Sequence, residues 1–117
     1  VIRSINAITL GTADMARAVR FYRALGFSLR YGGEEADFTS FRIVDQHLNL
    51  TVEGRPRTDG LVRIIFYVDD VDAMHRHVLA QGLVPEAGPR DAPWGERYFH
   101  VMDPDGHSLS FARPLDR

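Results

Sequence analysis

The sequence predicts an α+β protein made of two tandem copies of one unit, a strand, a helix and three strands. Three observations predict it. The chain repeats itself: residues 5–27, INAITLGTADMARAVRFYRALGF, lie over residues 61–83, LVRIIFYVDDVDAMHRHVLAQGL, without a gap. Inside each copy, alternating apolar residues give way to helical spacing and then return to alternation. The punctuation also coincides, with Asp14 and Asp70 before the helices and Gly26 and Gly82 after them.

Each element follows from local chemistry. Alternation gives a first strand near 5–12 and its counterpart near 62–68. Ile8, Leu10 and Thr12 match Ile64, Phe66 and Val68. Asp14 and Asp70 stand where a carboxylate accepts from the free N–H groups of a helix start. Met15, Ala18, Val19, Tyr22 and Leu25 recur at helical spacing, as do Val71, Met74 and Val78. Gly26 and Gly82 suit the left-handed residue that ends a helix. Three strands follow in the first copy, near 27–31, 38–44 and 47–53, with breaks at Gly32-Gly33 and Asp45-Gln46. The second copy continues with a short strand near 83–86, a long break from Gly88 to Gly95, and strands near 96–102 and 107–112. Module one is 1–53, module two is 61–113, and residues 54–60, GRPRTDG, link them within a single domain of 117 residues.

The stretch DPDGH, Asp103 to His107, has the residues of a metal loop but the order of a turn. Type I turns favour Asp, then Pro, and Gly at the fourth position. A calcium loop needs about six to eight oxygen ligands and commonly ends in Glu. The turn reading is the one that fits.

Strand side chains alternate between faces, and the more apolar set must cover the helix. Leu48, Leu50, Phe41 and Ile43 therefore face the first helix, and Phe66, Phe99, Val101, Leu109 and Phe111 the second. The opposite faces collect hydrogen-bonding and aromatic groups: Arg42, His47 and Asn49 in the first copy, and Arg63, Tyr67, Tyr98, His100, Ser108 and Ser110 in the second. Mixed polar and aromatic surfaces of this kind suit a small-molecule site. Arg42 and Arg63 favour an anionic or carbonyl-bearing ligand.

Bulk properties exclude other classes. Net charge is −2, which gives no general attraction to nucleic acid or an anionic membrane. With 0 cysteines there are no disulfides, thiolate sites or cysteine nucleophiles. No apolar run reaches the roughly 20 residues of a membrane span. No basic-then-apolar signal pattern stands at residues 1–30, and the cytoplasm is the expected location.

Several motifs occur in order along almost the whole chain: Phe21-Tyr22, Leu25-Gly26-Phe27, Val68-Asp69-Asp70-Val71 and PWGERYFHVMDPDG from Pro93 to Gly106. They resemble the vicinal oxygen chelate superfamily of glyoxalases, bleomycin-resistance proteins and extradiol dioxygenases, with the last run closest to the bleomycin-resistance branch. The resemblance implies two βαβββ modules whose curved mixed sheets surround a cleft, with Trp94 on a bordering loop. It also implies a homodimer. Enzymes of the superfamily hold a divalent metal on their first, fourth, fifth and eighth strands. The matching positions here are Ala7, Asn49, Arg63 and Ser110, and none carries the carboxylate or imidazole that such an ion needs.

The expectation is therefore a protein without a metal cofactor that sequesters a small planar or anionic molecule. Trp94, Tyr67, Tyr98 and Phe38 supply stacking surface, and Arg42, Arg63, Asn49, Ser110, His47 and His100 supply polar selection. The alternative is a lyase, isomerase or dioxygenase of the same superfamily. It would use a displaced metal at His47 and His100, or one of those histidines as a metal-free base. A regulatory module with a vestigial cleft is the third reading.

Overall fold

The computed structural model describes residues 1–54 and 62–115. The chain divides into two compact units, Val1–Arg57 and Thr58–Arg117. In the first, β1 (Ala7–Thr12) leads to α1 (Met15–Leu25), then β2 (Ser28–Tyr31), β3 (Phe38–Ile43) and β4 (Gln46–Val52). In the second, β5 (Arg63–Tyr67) leads to α2 (Val71–Ala80), then β6 (Arg90–Asp91), β7 (Glu96–Met102) and β8 (Ser108–Pro114). Each unit holds one four-stranded mixed sheet, ordered β1-β4-β3-β2 and β5-β8-β7-β6. The first strand of each runs parallel to the last, and the other pairs are antiparallel.

The helix ends are built as the sequence directs. Asp14 Oδ1 accepts from the Arg17 N–H at 3.0 Å, and Asp70 Oδ1 from the Ala73 N–H at 3.0 Å. At the other ends, the Phe27 N–H reaches the Tyr22 carbonyl at 3.1 Å and the Leu83 N–H the Val78 carbonyl at 3.2 Å. Both follow a left-handed glycine, Gly26 at φ 110° and Gly82 at φ 80°.

One face of each sheet packs on its helix, α1 on β4 and α2 on β7 and β8. The first core centres on Tyr22, Phe41, Leu48 and Leu50. Tyr22 lies 5.6 Å from Phe27 and 5.8 Å from Phe41, ring to ring. The second core centres on Phe99, Phe111, Val101 and Leu109. Beside it, Arg97 grips both oxygens of Asp72 on α2 at 2.8 and 3.0 Å and reaches Asp91 on β6 at 3.0 Å. These bonds hold the Asp72 carboxyl below its ordinary range. Among the described residues, no helix is long and apolar enough to cross a membrane.

Three expectations need correcting. Residues 83–86 form no strand; Pro85 has no N–H to give, and a single bond from the Glu86 N–H to the His100 carbonyl, 3.0 Å, is made there. The strand that pairs with β7 is instead β6, inside the stretch read as a break. The turn of the first unit falls at Val44-Asp45, with Gln46 already in β4 and Val44 at φ 55°. Residues 55–60 of the expected linker lie outside the described residues.

The DPDG stretch is a turn. The Gly106 N–H closes onto the Asp103 carbonyl at 3.0 Å, and Asp103 Oδ1 accepts from the N–H groups of Asp105 and His107, each at 2.9 Å. His107 is half-buried beside it. Asp103 is 4% exposed, so alanine there strands two donors with little access to water. We expect Asp103→Ala to cost about 1–3 kcal/mol and Asp103→Asn much less, read from urea midpoints at unchanged slope.

Candidate functional site

In the second unit the face turned away from α2 is ordered by strand register. Its rows are Arg63–Ser108–Met102, Ile65–Ser110–His100 and Tyr67–Ala112–Tyr98–Arg90. The central strand β8 contributes only small groups, Ser108, Ser110 and Ala112, all buried. Larger side chains rise on both sides, so the face has a floor and two walls.

One wall is an aromatic ladder along β7. Trp94 stacks on Tyr98 with ring centres 5.8 Å apart and 30° between planes, and Tyr98 lies 4.8 Å from the His100 ring. Arg90 lies over the Tyr98 ring at 4.6 Å, and its Nε donates to the Tyr98 hydroxyl at 2.9 Å. Trp94 sits in the turn Ala92–Gly95, closed by the Gly95 N–H on the Ala92 carbonyl at 3.0 Å.

Glu96 joins the walls. It accepts from Trp94 Nε1 at 3.1 Å through one oxygen and from the Tyr67 hydroxyl through the other. The bond to Glu96 lifts the Tyr67 phenol above its ordinary value. Tyr67 also lines an open depression of about 380 Å³ with Val68, Asp69, Arg113 and Pro114.

At the other end of the ladder, Arg63 Nε donates to Ser108 Oγ at 2.8 Å. His100 Nδ1 is buried without a hydrogen-bond partner. Burial first, then the Arg63 guanidinium, hold its imidazole below the ordinary range; Arg90 adds to this and Glu86 opposes it. The folded chain therefore prefers neutral His100. As pH falls below about 6.5, the unfolded chain takes up this proton first and stability declines. We expect an NMR titration midpoint for His100 below that of free histidine. His100→Gln should remove this part of the acid destabilisation; an ordinary midpoint would refute the assignment.

The first unit presents the rows Ala7–His47–Arg42, Thr9–Asn49–Ser40 and Gly11–Thr51–Phe38 away from α1. Asn49 Nδ2 donates to Thr9 Oγ1 at 3.3 Å, while its Oδ1 is buried and unpaired. Arg42 turns back onto its own hairpin, Nε to the Val44 carbonyl at 2.8 Å. His47 is half-buried between Ala7 and Arg42 in register, with no second metal donor in its row.

The nine sequence-derived residues thus fall into two sets. Trp94, Tyr98, His100, Tyr67, Ser110 and Arg63 share the second face; His47, Asn49 and Arg42 share the first. Glu96 and Arg90 escaped the sequence reading. Glu96 was within reach of it, because it alternates with Tyr98 and His100 on one strand.

The four positions that the resemblance marks for a divalent metal carry poor donors. In the first unit, Ala7 has no donor and Asn49 offers only a neutral amide oxygen. In the second, Arg63 is a permanent cation bonded to Ser108, and Ser110 is a neutral hydroxyl. Among the described residues, no three His, Asp or Glu side chains gather into a metal-binding group.

A family model for the Glyoxalase/Bleomycin resistance protein/Dioxygenase superfamily matches residues 4–111. The chain belongs to this superfamily. An uncharacterized protein of Mycolicibacterium smegmatis is 30% identical over 113 residues, covering 97% of this chain and 96% of its own length. A bleomycin resistance protein of Geobacillus stearothermophilus is 26% identical, covering 98% of each chain. Among solved structures, a glyoxalase/bleomycin resistance protein/dioxygenase from Nocardioides superposes with a TM-score of 0.80 at 21% identity, covering 99% of this chain and 86% of that one. TioX from Micromonospora sp. ML1 gives 0.78 at 26% identity, covering 97% and 100%. The glyoxalase/bleomycin-resistance fold is therefore that of this chain, α+β with two four-stranded mixed sheets and two helices.

Proposed function

We propose that this superfamily member binds a planar small molecule, without a metal ion, on the face of its second sheet turned away from α2. The observation that carries this is the ladder of Trp94, Tyr98 and His100, capped by an indole that is 68% exposed. An aromatic surface left open to water beside fixed polar groups favours a flat ligand. The likeness to bleomycin resistance proteins supports a binding role, and the unsuitable donors at the superfamily's metal positions weigh against Lewis-acid chemistry at those positions.

Trp94 is the sole tryptophan of 117 residues, so its emission reports on this face alone. Titration with a panel of planar metabolites and drugs should quench or shift it and raise the melting temperature. Tyr98→Ala should weaken the best binder about tenfold or more, and a chelator should leave affinity unchanged. Silence of Trp94 with no thermal shift across the panel overturns the proposal.

His100 favours one second reading, a metal-free isomerase. A neutral imidazole with an unpartnered nitrogen suits a general base. His100→Gln would then abolish turnover of a panel compound while leaving its binding intact. Absence of turnover in the wild type removes this reading.

A further inference from the structure

We infer that the second face selects a cation, and that Glu96 is the residue that selects it. This rests on the reading of that face as a binding site and gives the ligand its charge.

Tyr67 and Tyr98 flank Ala112 in one row, so their strands lie roughly 10 Å apart, two strand spacings. The buried methyl of Ala112 is the floor between them. Trp94 leans on Tyr98 from the next turn, with its other ring face open. The polar edges of Trp94 and Tyr67 both end on Glu96, one on each carboxylate oxygen. Each bond consumes a donor of the ring and fixes its plane. Neither consumes the charge of Glu96, because both donors are neutral. A ligand seated between Trp94 and Tyr67 would meet aromatic rings at its sides and the Glu96 carboxylate at its end. Such a setting favours a cation over a neutral group of equal shape.

The protein contains its own example of the contact. The Arg90 guanidinium already lies 4.6 Å over Tyr98. Arg90 is the nearest cation; it is held by the Tyr98 hydroxyl at 2.9 Å and the Gly88 carbonyl at 3.3 Å, and it stands on the far side of Tyr98 from Ala112 in the row. Asp69 and Arg113 both line the depression beside Tyr67 and offset each other. Arg63 is tied to Ser108, two rows away along the strands. An anion placed beside Tyr67 and Trp94 would face Glu96 directly. The ligand class is a planar organic cation, such as an N-alkylated heteroaromatic ring or a flat amine.

Three probes of matched shape test this by calorimetry at neutral pH: N-methylquinolinium, uncharged quinoline and anionic 2-naphthoate. We expect the cation to bind about tenfold more tightly than quinoline, and the anion most weakly. Glu96→Gln removes the charge while its Oε1 can still accept from Trp94 Nε1 and its Nε2 can donate to the Tyr67 hydroxyl, which then acts as acceptor. It should retain quinoline binding and bring the cation to parity with it. Added salt should erode the cation preference of the unmodified protein, which tests the charge without any variant. Equal binding of cation and quinoline, tightest binding of naphthoate, or a preference that survives Glu96→Gln or high salt overturns the inference. In those cases the face still binds planar molecules and the broader proposal stands. No binding by any probe overturns the inference, and the wider panel then decides the broader proposal separately.

Discussion

Replacing Phe111 by alanine should destabilise the second unit by about 3–5 kcal/mol, the usual cost of deleting a buried phenylalanine. Phe111 is 2% exposed and lies on the central strand β8. It stacks on Phe66 at 5.6 Å and lies tilted against Phe99 at 5.5 Å, so its removal strips both rings of a neighbour. The hole would be bounded by strands that cannot collapse without breaking ladder bonds, which places the cost in the upper part of the range. Phe66 is only half-buried, and Phe66→Ala should cost distinctly less. Urea denaturation of both variants decides it; equal losses would mean that the stack is not the centre of this core. Phe111 also lies between Ser110 and Ala112, so a loosened core should disturb the floor of the opposite face of the sheet. Trp94 emission in the folded variant reads that effect directly.

The second large effect is expected at Gly32. A methyl group there would meet the Phe38 carbonyl oxygen at 2.3 Å, Thr39 Oγ1 at 2.8 Å and Thr39 Cα at 2.9 Å. Two of these are backbone atoms and cannot swing aside. Thr39 is held as well, because its hydroxyl takes the Gly33 N–H at 3.0 Å and donates to the Gly33 carbonyl at 3.2 Å. Gly32 also has φ 83°, where an L side chain is strained. Together these should cost about 2–5 kcal/mol in Gly32→Ala. Gly26 is the control. It has φ 110° and nothing within 4 Å of an added methyl, so Gly26→Ala should show the conformational cost alone. Equal losses at the two positions would remove the steric argument.

The repeat made the fold legible. Asp14 and Asp70, and Gly26 and Gly82, are residues whose own chemistry starts or stops a helix, so their positions survive any tertiary context. The strand faces were legible for the same reason: burial of Leu48, Leu50, Phe99 and Phe111 follows from alternation. What failed was pairing. The run Leu83 to Glu86 is apolar enough for a strand, but Pro85 denies it a ladder, and the sheet recruits Arg90-Asp91. The signal for that choice was present in Ala92-Pro93-Trp94-Gly95, which has proline and glycine at the same positions as Asp103-Pro104-Asp105-Gly106. The site was half legible. Alternation put Tyr98 and His100 on the face away from α2, where the strand register has them. The roles of Glu96 and Arg90 depend on side-chain reach, which alternation does not encode.

These two turns have a consequence for how the protein can change. Each is closed by backbone bonds between its first and fourth residues, with a left-handed glycine fourth, Gly95 at φ 98° and Gly106 at φ 91°. In the first of them Trp94 supplies none of those closing bonds. Its side chain can be exchanged while the hairpin beneath it keeps its path. If the proposed ligand rests on Trp94, a lineage carrying this chain could revise what it recognises by altering one exposed letter, with the frame that presents it left unmoved.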